Sequence, residues 1–309
     1  EFIKKPKINF LKYKTHAFIL SGLLILLGGL AFIQINRGEA NLGVEFSGGT
    51  MAQFKAAQSF RLDKIRGALL ERGFRDLELQ QVANENILLV RAKRSGEAIT
   101  KESEAVAKAL QEDFPELKFV LESKSEIGSS VSDALKKAAL IAIAISLAGI
   151  ILYLAWRFDF RFGVAAAIAT FHDVLAVLGI FYLMDKEITL LFVTALLTLA
   201  GYSLSDTVVI FDRIRENMKS GRKKDFGEII NLSVNEVISR TLITGITVLL
   251  VLLALLFLGG VVIHDFTLTL VIGVIIGTYS SIFVASSVVY IWPGKKGKEM
   301  VKAKGRKKR

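Results

Sequence analysis

The chain is a succession of long apolar runs separated by short polar segments, with one long exception near its start. A helix needs about 20 mostly apolar residues to cross the hydrocarbon of a bilayer. Six stretches meet that length: residues 17–35, 138–156, 162–183, 188–210, 241–260 and 265–291. The exception is 36–135, where charged and turn-forming residues interrupt the apolar pattern and its period changes. Within it, 51–54 reads as a short strand. Leu62, Ile65, Leu69 and Leu70 fall at helical spacing in 61–72. Two strands follow at 76–82 and 86–90, joined by the turn Ala83-Asn84-Glu85. An amphipathic helix over 97–112 closes before Pro115, and 117–121 reads as the last strand.

The order β-α-β-β-α-β predicts an α+β domain of the ferredoxin-like kind. The fold expected for the chain is therefore a membrane all-α bundle of six transmembrane helices with an inserted ferredoxin-like extracytoplasmic domain. Its divisions are a flank at 1–16, a first span at 17–35, the extracytoplasmic domain at 36–135, a helical bundle at 138–291 and a basic tail at 292–309. The first apolar run is too long for the core of a signal peptide and lacks a small-residue cleavage site, so it reads as an anchor. Position 1 is Glu, not Met, which suits a piece of a longer polypeptide, and a partner half fused upstream stays open.

The basic residues fix an orientation. Lys4, Lys5, Lys7, Lys12 and Lys14 precede the first span; Arg157 and Arg161 separate the second and third. Arg213, Arg215, Lys219, Arg222, Lys223 and Lys224 lie between the fourth and fifth, and the tail ends Arg306-Lys307-Lys308-Arg309. The alternate connections, Asp185-Lys186-Glu187 and 259–265, hold a single lysine. With six alternating spans every basic segment falls on one side, so both termini are expected in the cytoplasm.

Composition then narrows the chemistry. Of 309 residues 52% are hydrophobic, and the mean hydropathy is +0.48. The net charge of +11 is distributed between apolar runs, which suits membrane lipid and not nucleic acid. There is no cysteine, so disulfides, thiolate catalysis and thiolate metal sites are excluded. Only three prolines occur, so the long helices run mostly uninterrupted.

Ionisable residues inside spans are costly and should face the bundle with a partner. Asp206 lies towards the cytoplasmic end of span four, and Arg240 at the cytoplasmic start of span five. The two spans run antiparallel, so counting from one membrane face brings these residues to similar depth. The protonation state of a carboxylate depends on the distance of a neighbouring guanidinium. The pair is thus a candidate proton switch; a static ion pair, or an Arg240 that reaches out to the interface, is equally open. Asp212, Arg213, Arg215 and Glu216 read as a solvated helix extension. His172 and Asp173 in span three form a second candidate proton site, with a hydrogen-bonded structural role across helices as the alternative. Gly201, Gly245, Gly273, Gly277 and Ser281 are assigned to close helix packing. The segment Gly43–Thr50 reads as a turn into the first strand. It has no lysine at the spacing of a phosphate-binding loop.

The block Gly201-Tyr202-Ser203-Leu204-Ser205-Asp206-Thr207-Val208-Val209-Ile210-Phe211-Asp212-Arg213-Ile214-Arg215-Glu216-Asn217 resembles a pattern of the SecF family, within the resistance-nodulation-division superfamily. Ser205 stands here where the family has Asn. Ser239-Arg240-Thr241, His172-Asp173-Val174, Gly277-Thr278-Tyr279-Ser280-Ser281 and the loop Gly43–Thr50 also look like the family, the loop with Glu45 and Ser47 in place of its Asp and Thr. The resemblance covers nearly the whole chain. It implies a multi-pass protein of the bacterial inner membrane. It implies a SecD partner with six further spans, and work with the SecYEG channel and the SecA ATPase to complete export of unfolded polypeptide. The proton gradient, or sodium in some relatives, would drive the process, with the proton pathway on Asp206 and Arg240, no cofactor, no metal and no covalent chemistry.

Two other readings compete. An exporter of small molecules or lipids from the same superfamily usually has two six-span halves and large porter domains, whereas this chain has one half. A scaffold subunit that only docks partners has no need of Asp206 and Arg240 in its spans. A membrane enzyme is disfavoured by the absence of His-Glu-x-x-His, Gly-x-Ser-x-Gly and cysteine.

Overall fold

A computed structural model describes residues 8–37, 39–74, 77–81, 86–92, 98–220 and 225–292. In chain order its elements are α1 (Lys14–Arg37), α2 (Val44–Ser47), β1 (Gly49–Lys55), α3 (Leu62–Glu71), β2 (Leu77–Gln81), β3 (Ile87–Ala92), α4 (Ala98–Asp113), β4 (Val120–Ile127), α5 (Ser129–Arg157), α6 (Phe160–Leu183), α7 (Leu190–Lys219), α8 (Phe226–Leu258) and α9 (Val261–Tyr279). A π-helical turn, Ser280–Ala285, joins α9 to α10 (Ser286–Ile291). The chain divides into two compact units, 42–141 and the remainder.

The smaller unit holds a four-stranded sheet in the order β2-β3-β1-β4, with every neighbouring pair antiparallel. Alternate residues of the central strands, Ala52 and Phe54 in β1 and Leu88 and Val90 in β3, meet Ile65 and Leu69 of α3 and Val106 and Leu110 of α4 in one apolar core. β1 begins at Gly49, and the φ values of Gly48 and Gly49, 71° and 112°, suit glycine. The last strand differs from expectation: 115–117 form a 3-10 turn, Lys118 turns left-handed at φ 45°, and the strand is Val120–Ile127. Leu117 and Phe119 are apolar because they plug the core from the turn. The strand itself is a mostly polar edge, which hides its period from sequence. The turn expected at 83–85 lies outside the described residues.

Among the described residues six helices are long and apolar enough to cross a membrane: Phe10–Arg37, Ser130–Leu154, Phe160–Leu183, Leu190–Lys219, Phe226–Leu258 and Val262–Ile291; five lie in the larger unit, and the second begins in the smaller unit and runs on into the larger. α6, α7 and α9 form its centre, with more than half of their apolar windows buried. In the most apolar stretches of α1, α5 and α8 fewer than one residue in five is buried, and many of their leucines and isoleucines face outward. α1 crosses α6 through glycines: a Cβ on Gly179 would come within 2.6 Å of the Gly28 backbone nitrogen.

Three boundaries depart from the apolar pattern. α5 starts at Ser129, before the expected 138, α7 runs on to Lys219, past the expected 210, and α8 starts at Phe226, well before the expected 241. Asp225 and Glu228 form a capping box there. The polar residues that follow are held by other elements. Asn235 bonds the backbone of Ile8 in both directions, at 3.0 and 2.8 Å, and Asn231 accepts from the Leu11 amide and donates to Asn9. The described part of the N-terminal flank is thus docked on α8, whereas residues 1–7, with Lys4, Lys5 and Lys7, lie outside the described residues. So do Arg222, Lys223, Lys224 and the tail from 293.

The helix extension expected to be solvated is instead tied across helices. Arg157 pairs with Asp212 at 2.6 Å and Arg213 with Glu236 at 2.7 Å, while Asn217 donates to Ser233 and Glu236. Of the four residues, Glu216 alone keeps to a local pair, with Arg213 one turn before it. Such contacts need a second helix in register, and a single sequence does not reveal one.

Candidate functional site

α7 carries the chemistry because its buried stripe contains polar residues. Leu199, Ser203, Asp206, Thr207 and Ile210, at positions i, i+4, i+7, i+8 and i+11 of one helical face, are all buried. Asp206 keeps one carboxylate oxygen, Oδ2, buried without a hydrogen-bond partner. The Tyr202 hydroxyl, one turn earlier, and Thr241 Oγ1 of α8 are also buried and unpartnered. Arg240 projects from the middle of α8 and is exposed. It acts electrostatically on Asp206 but makes no ion pair with it. Arg240 thus stands mid-helix and not at the start of a helix, because α8 begins earlier than its apolar run.

His172 and Asp173 are both completely buried in α6 and bonded to each other, His172 Nδ1 to Asp173 Oδ1 at 2.9 Å. The other oxygen of Asp173 accepts from the Ser203 hydroxyl of α7 in a short bond, and the Ser280 hydroxyl stands 2.8 Å from it at the start of the π-turn. A single carboxylate therefore joins the three central helices. His172 Nε2 is buried with no partner. The Nδ1–H tautomer leaves an acceptor and not a donor unpaired there, the less costly arrangement.

The small residues take three different parts. A Cβ at Gly273 would meet Leu199 at 2.6 Å, and one at Gly277 would meet Ser203 at 3.1 Å, so these two glycines let α9 lie close against α7. Gly245 faces Thr278 and the Tyr202 hydroxyl, and Ser281 turns its hydroxyl back to the Thr278 carbonyl. Gly201 differs from expectation: a Cβ there meets nothing within 4 Å, so no neighbour among the described residues requires it to be glycine. Sequence reading missed Gly28 and Gly179, and the roles of Ser203, Ser280, Tyr202 and Thr241. The available signal was their type alone, small or hydroxyl-bearing residues inside apolar runs. Among the described residues no group of three His, Asp or Glu side chains could hold a metal ion.

This arrangement defines a multi-pass membrane protein whose helical centre is built around buried ionisable and hydroxyl groups. The chain belongs to the SecD/SecF family: the description "Protein export membrane protein SecD/SecF, C-terminal" matches residues 105–295. It is 46% identical to the protein translocase subunit SecF of Thermodesulfovibrio yellowstonii over 94% of this chain and 96% of that one. It is 39% identical to the SecF subunit of Calditerrivibrio nitroreducens, again over 94% and 96%. Among solved structures it resembles SecDF, a translocon-associated membrane protein from Thermus thermophilus, with a TM-score of 0.81 and 35% identity over 93% of this chain. A second SecDF structure, in a super-membrane-facing form, gives a TM-score of 0.66 at 34% identity. The chain spans 39% and 40% of the length of those two SecDF chains.

Proposed function

We propose that this chain is a SecF-type subunit of the Sec protein translocation machinery, and that it works with a SecD half to promote export of unfolded polypeptide through SecYEG after SecA has begun the transfer. Support for the subunit role comes from SecF relatives matched over nearly their full length. The SecD partner is supported by the remainder of the SecDF chains that this one does not cover. The site is a bacterial inner membrane, with both termini in the cytoplasm and the 42–141 unit outside. That unit is a ferredoxin-like domain, a reading that rests on its sheet order and its two helices in the crossovers.

The coupling ion is a proton, with sodium as the alternative, and no covalent step is involved. The observation that carries this is Asp206: a buried carboxylate inside a span, with one oxygen that has no hydrogen-bond partner. If the Arg240 guanidinium changes its distance from such a group, the charge there depends on helix packing, and packing on the charge. α1 and α5 are the elements through which the chain enters and leaves the 42–141 unit, so a change in the spans reaches that unit along the backbone. A potential of 100 mV supplies about 2.3 kcal/mol per charge that crosses, which favours many small cycles over one large stroke.

The test compares Asp206→Asn and Arg240→Met with the parent chain in vesicles containing SecD and the export channel. Insertion and assembly should survive, while stimulation of export by a proton gradient should vanish. Full gradient-dependent stimulation in both variants would make the pair structural.

A further inference from the structure

The Asp173 cluster lies apart from the groups around Asp206, and its geometry links the two. Ser203 precedes Asp206 by three residues, so both lie on one face of α7. Any rotation or slide of α7 that moves Asp206 must also disturb the bond between Ser203 and Asp173. Ser280 fastens the same carboxylate to α9 where its helical winding changes, and π-turns of this kind concentrate at functional sites. Gly277 permits the approach, since a Cβ there would crowd the Ser203 side chain.

A purely space-filling residue at 173 would be apolar, as buried Ala169, Ala176 and Val177 of the same helix are. A carboxyl in their midst is costly unless its hydrogen bonds serve a purpose. His172 has no bond at Nε2, so its one described hydrogen bond serves to orient Asp173.

We infer that Asp173 is a positioning residue: by holding Ser203 and Ser280 it sets the rotation of α7 and thereby the surroundings of Asp206. This rests on reading Asp206 as the proton-exchanging carboxyl. Asp173 need not exchange a proton itself; its two oxygens are occupied by donors from three helices.

The test reads Asp206 directly. Dicyclohexylcarbodiimide modifies protonated carboxyls in apolar surroundings, and its adduct on the Asp206 peptide can be quantified by mass spectrometry with the full chain in lipid vesicles. Ser203→Ala and Asp173→Asn should each change the modification rate of Asp206 by about fivefold or more, and Gly277→Ala should do the same by displacing Ser203. Thr198→Ala is the control, because that hydroxyl bonds only its own helix, to the Thr194 carbonyl. Its rate should stay within about a factor of two of the parent. Parental rates in both Ser203→Ala and Asp173→Asn overturn the inference. Should Asp173→Asn fail to insert, Ser203→Ala and Ser280→Ala decide in the same way. The measurement needs neither a gradient nor the export channel. A changed rate in Ser203→Ala with export intact in Asp206→Asn would therefore uphold the positioning role and reject the proton role.

Discussion

At the scale of single residues, legibility follows cost. Asp206, Arg240, His172 and Asp173 stand out in sequence because charge in a span is expensive. Ser203 and Ser280 do not stand out, because a hydroxyl in a helix can bond its own backbone and needs no partner. Their bonds to Asp173 depend on how far α7 and α9 are rotated, which one sequence does not specify. Glycine shows the same limit: Gly277 and Gly201 read alike, yet one is pressed against Ser203 and the other faces open space. The contact of Gly28 with Gly179 supports a prediction at this scale. Gly179→Leu forces a side chain into the α1 backbone and should destabilise the bundle by about 1–3 kcal/mol. Gly201→Leu should leave it nearly unchanged. Thermal unfolding followed by helical circular dichroism in detergent separates the two, and equal melting temperatures would contradict the crossing described here.

At the scale of elements, the apolar pattern locates every span but not where three of the helices, α5, α7 and α8, begin or end. A helix ends where its backbone groups are satisfied otherwise, not where its apolar residues stop. α8 illustrates this, for its first four turns carry Asn231, Ser233, Asn235 and Glu236, whose partners lie in residues 8–11 and in α7. The capping box at Asp225 gives this polar stretch its start. Asp225→Ala should therefore cost about 1 kcal/mol of stability, and the loss should show as faster amide exchange over 226–232 than in the apolar half of α8. Uniform exchange along the helix would mean that the cap does not define the first turns. The π-turn at Ser280–Ala285 had no sequence signature at all. The strand β4 lies further along the chain than the apolar residues suggest, because an exposed edge carries little alternation. The smaller unit is a second case at this scale. Its core draws on α3, α4 and the sheet, all within residues 42–141. A fragment of those residues should unfold cooperatively with mixed helix and strand signals, and a disordered fragment would contradict an independent core.

At the scale of the whole molecule, the question is which side of the membrane each unit occupies. The helices determine only that six spans alternate; the direction comes from charge, and the strongest contributors lie outside the described residues at both termini. Described residues still carry part of the argument. Arg157 and Arg215 stack over the Phe158 ring and share Asp212, so the α5–α6 and α7–α8 connections lie at one end of the bundle. Lys186 reaches Asp265 at 2.8 Å, which joins the α6–α7 connection to the start of α9 at the other end. The arginines at the first end support the proposal that it faces the cytoplasm, since basic residues near spans resist translocation. The absence of cysteine from the chain makes the test clean. Single cysteines at exposed Glu116, in the smaller unit, and at exposed Ser220, at the end of α7, should be labelled by an impermeant maleimide from opposite faces. In intact cells with the outer membrane permeabilised, Glu116→Cys should react at once and Ser220→Cys only after the inner membrane is opened. Labelling of both before opening would mean that the number of crossings between them is even, and the six-span arrangement with an external 42–141 unit would have to be abandoned.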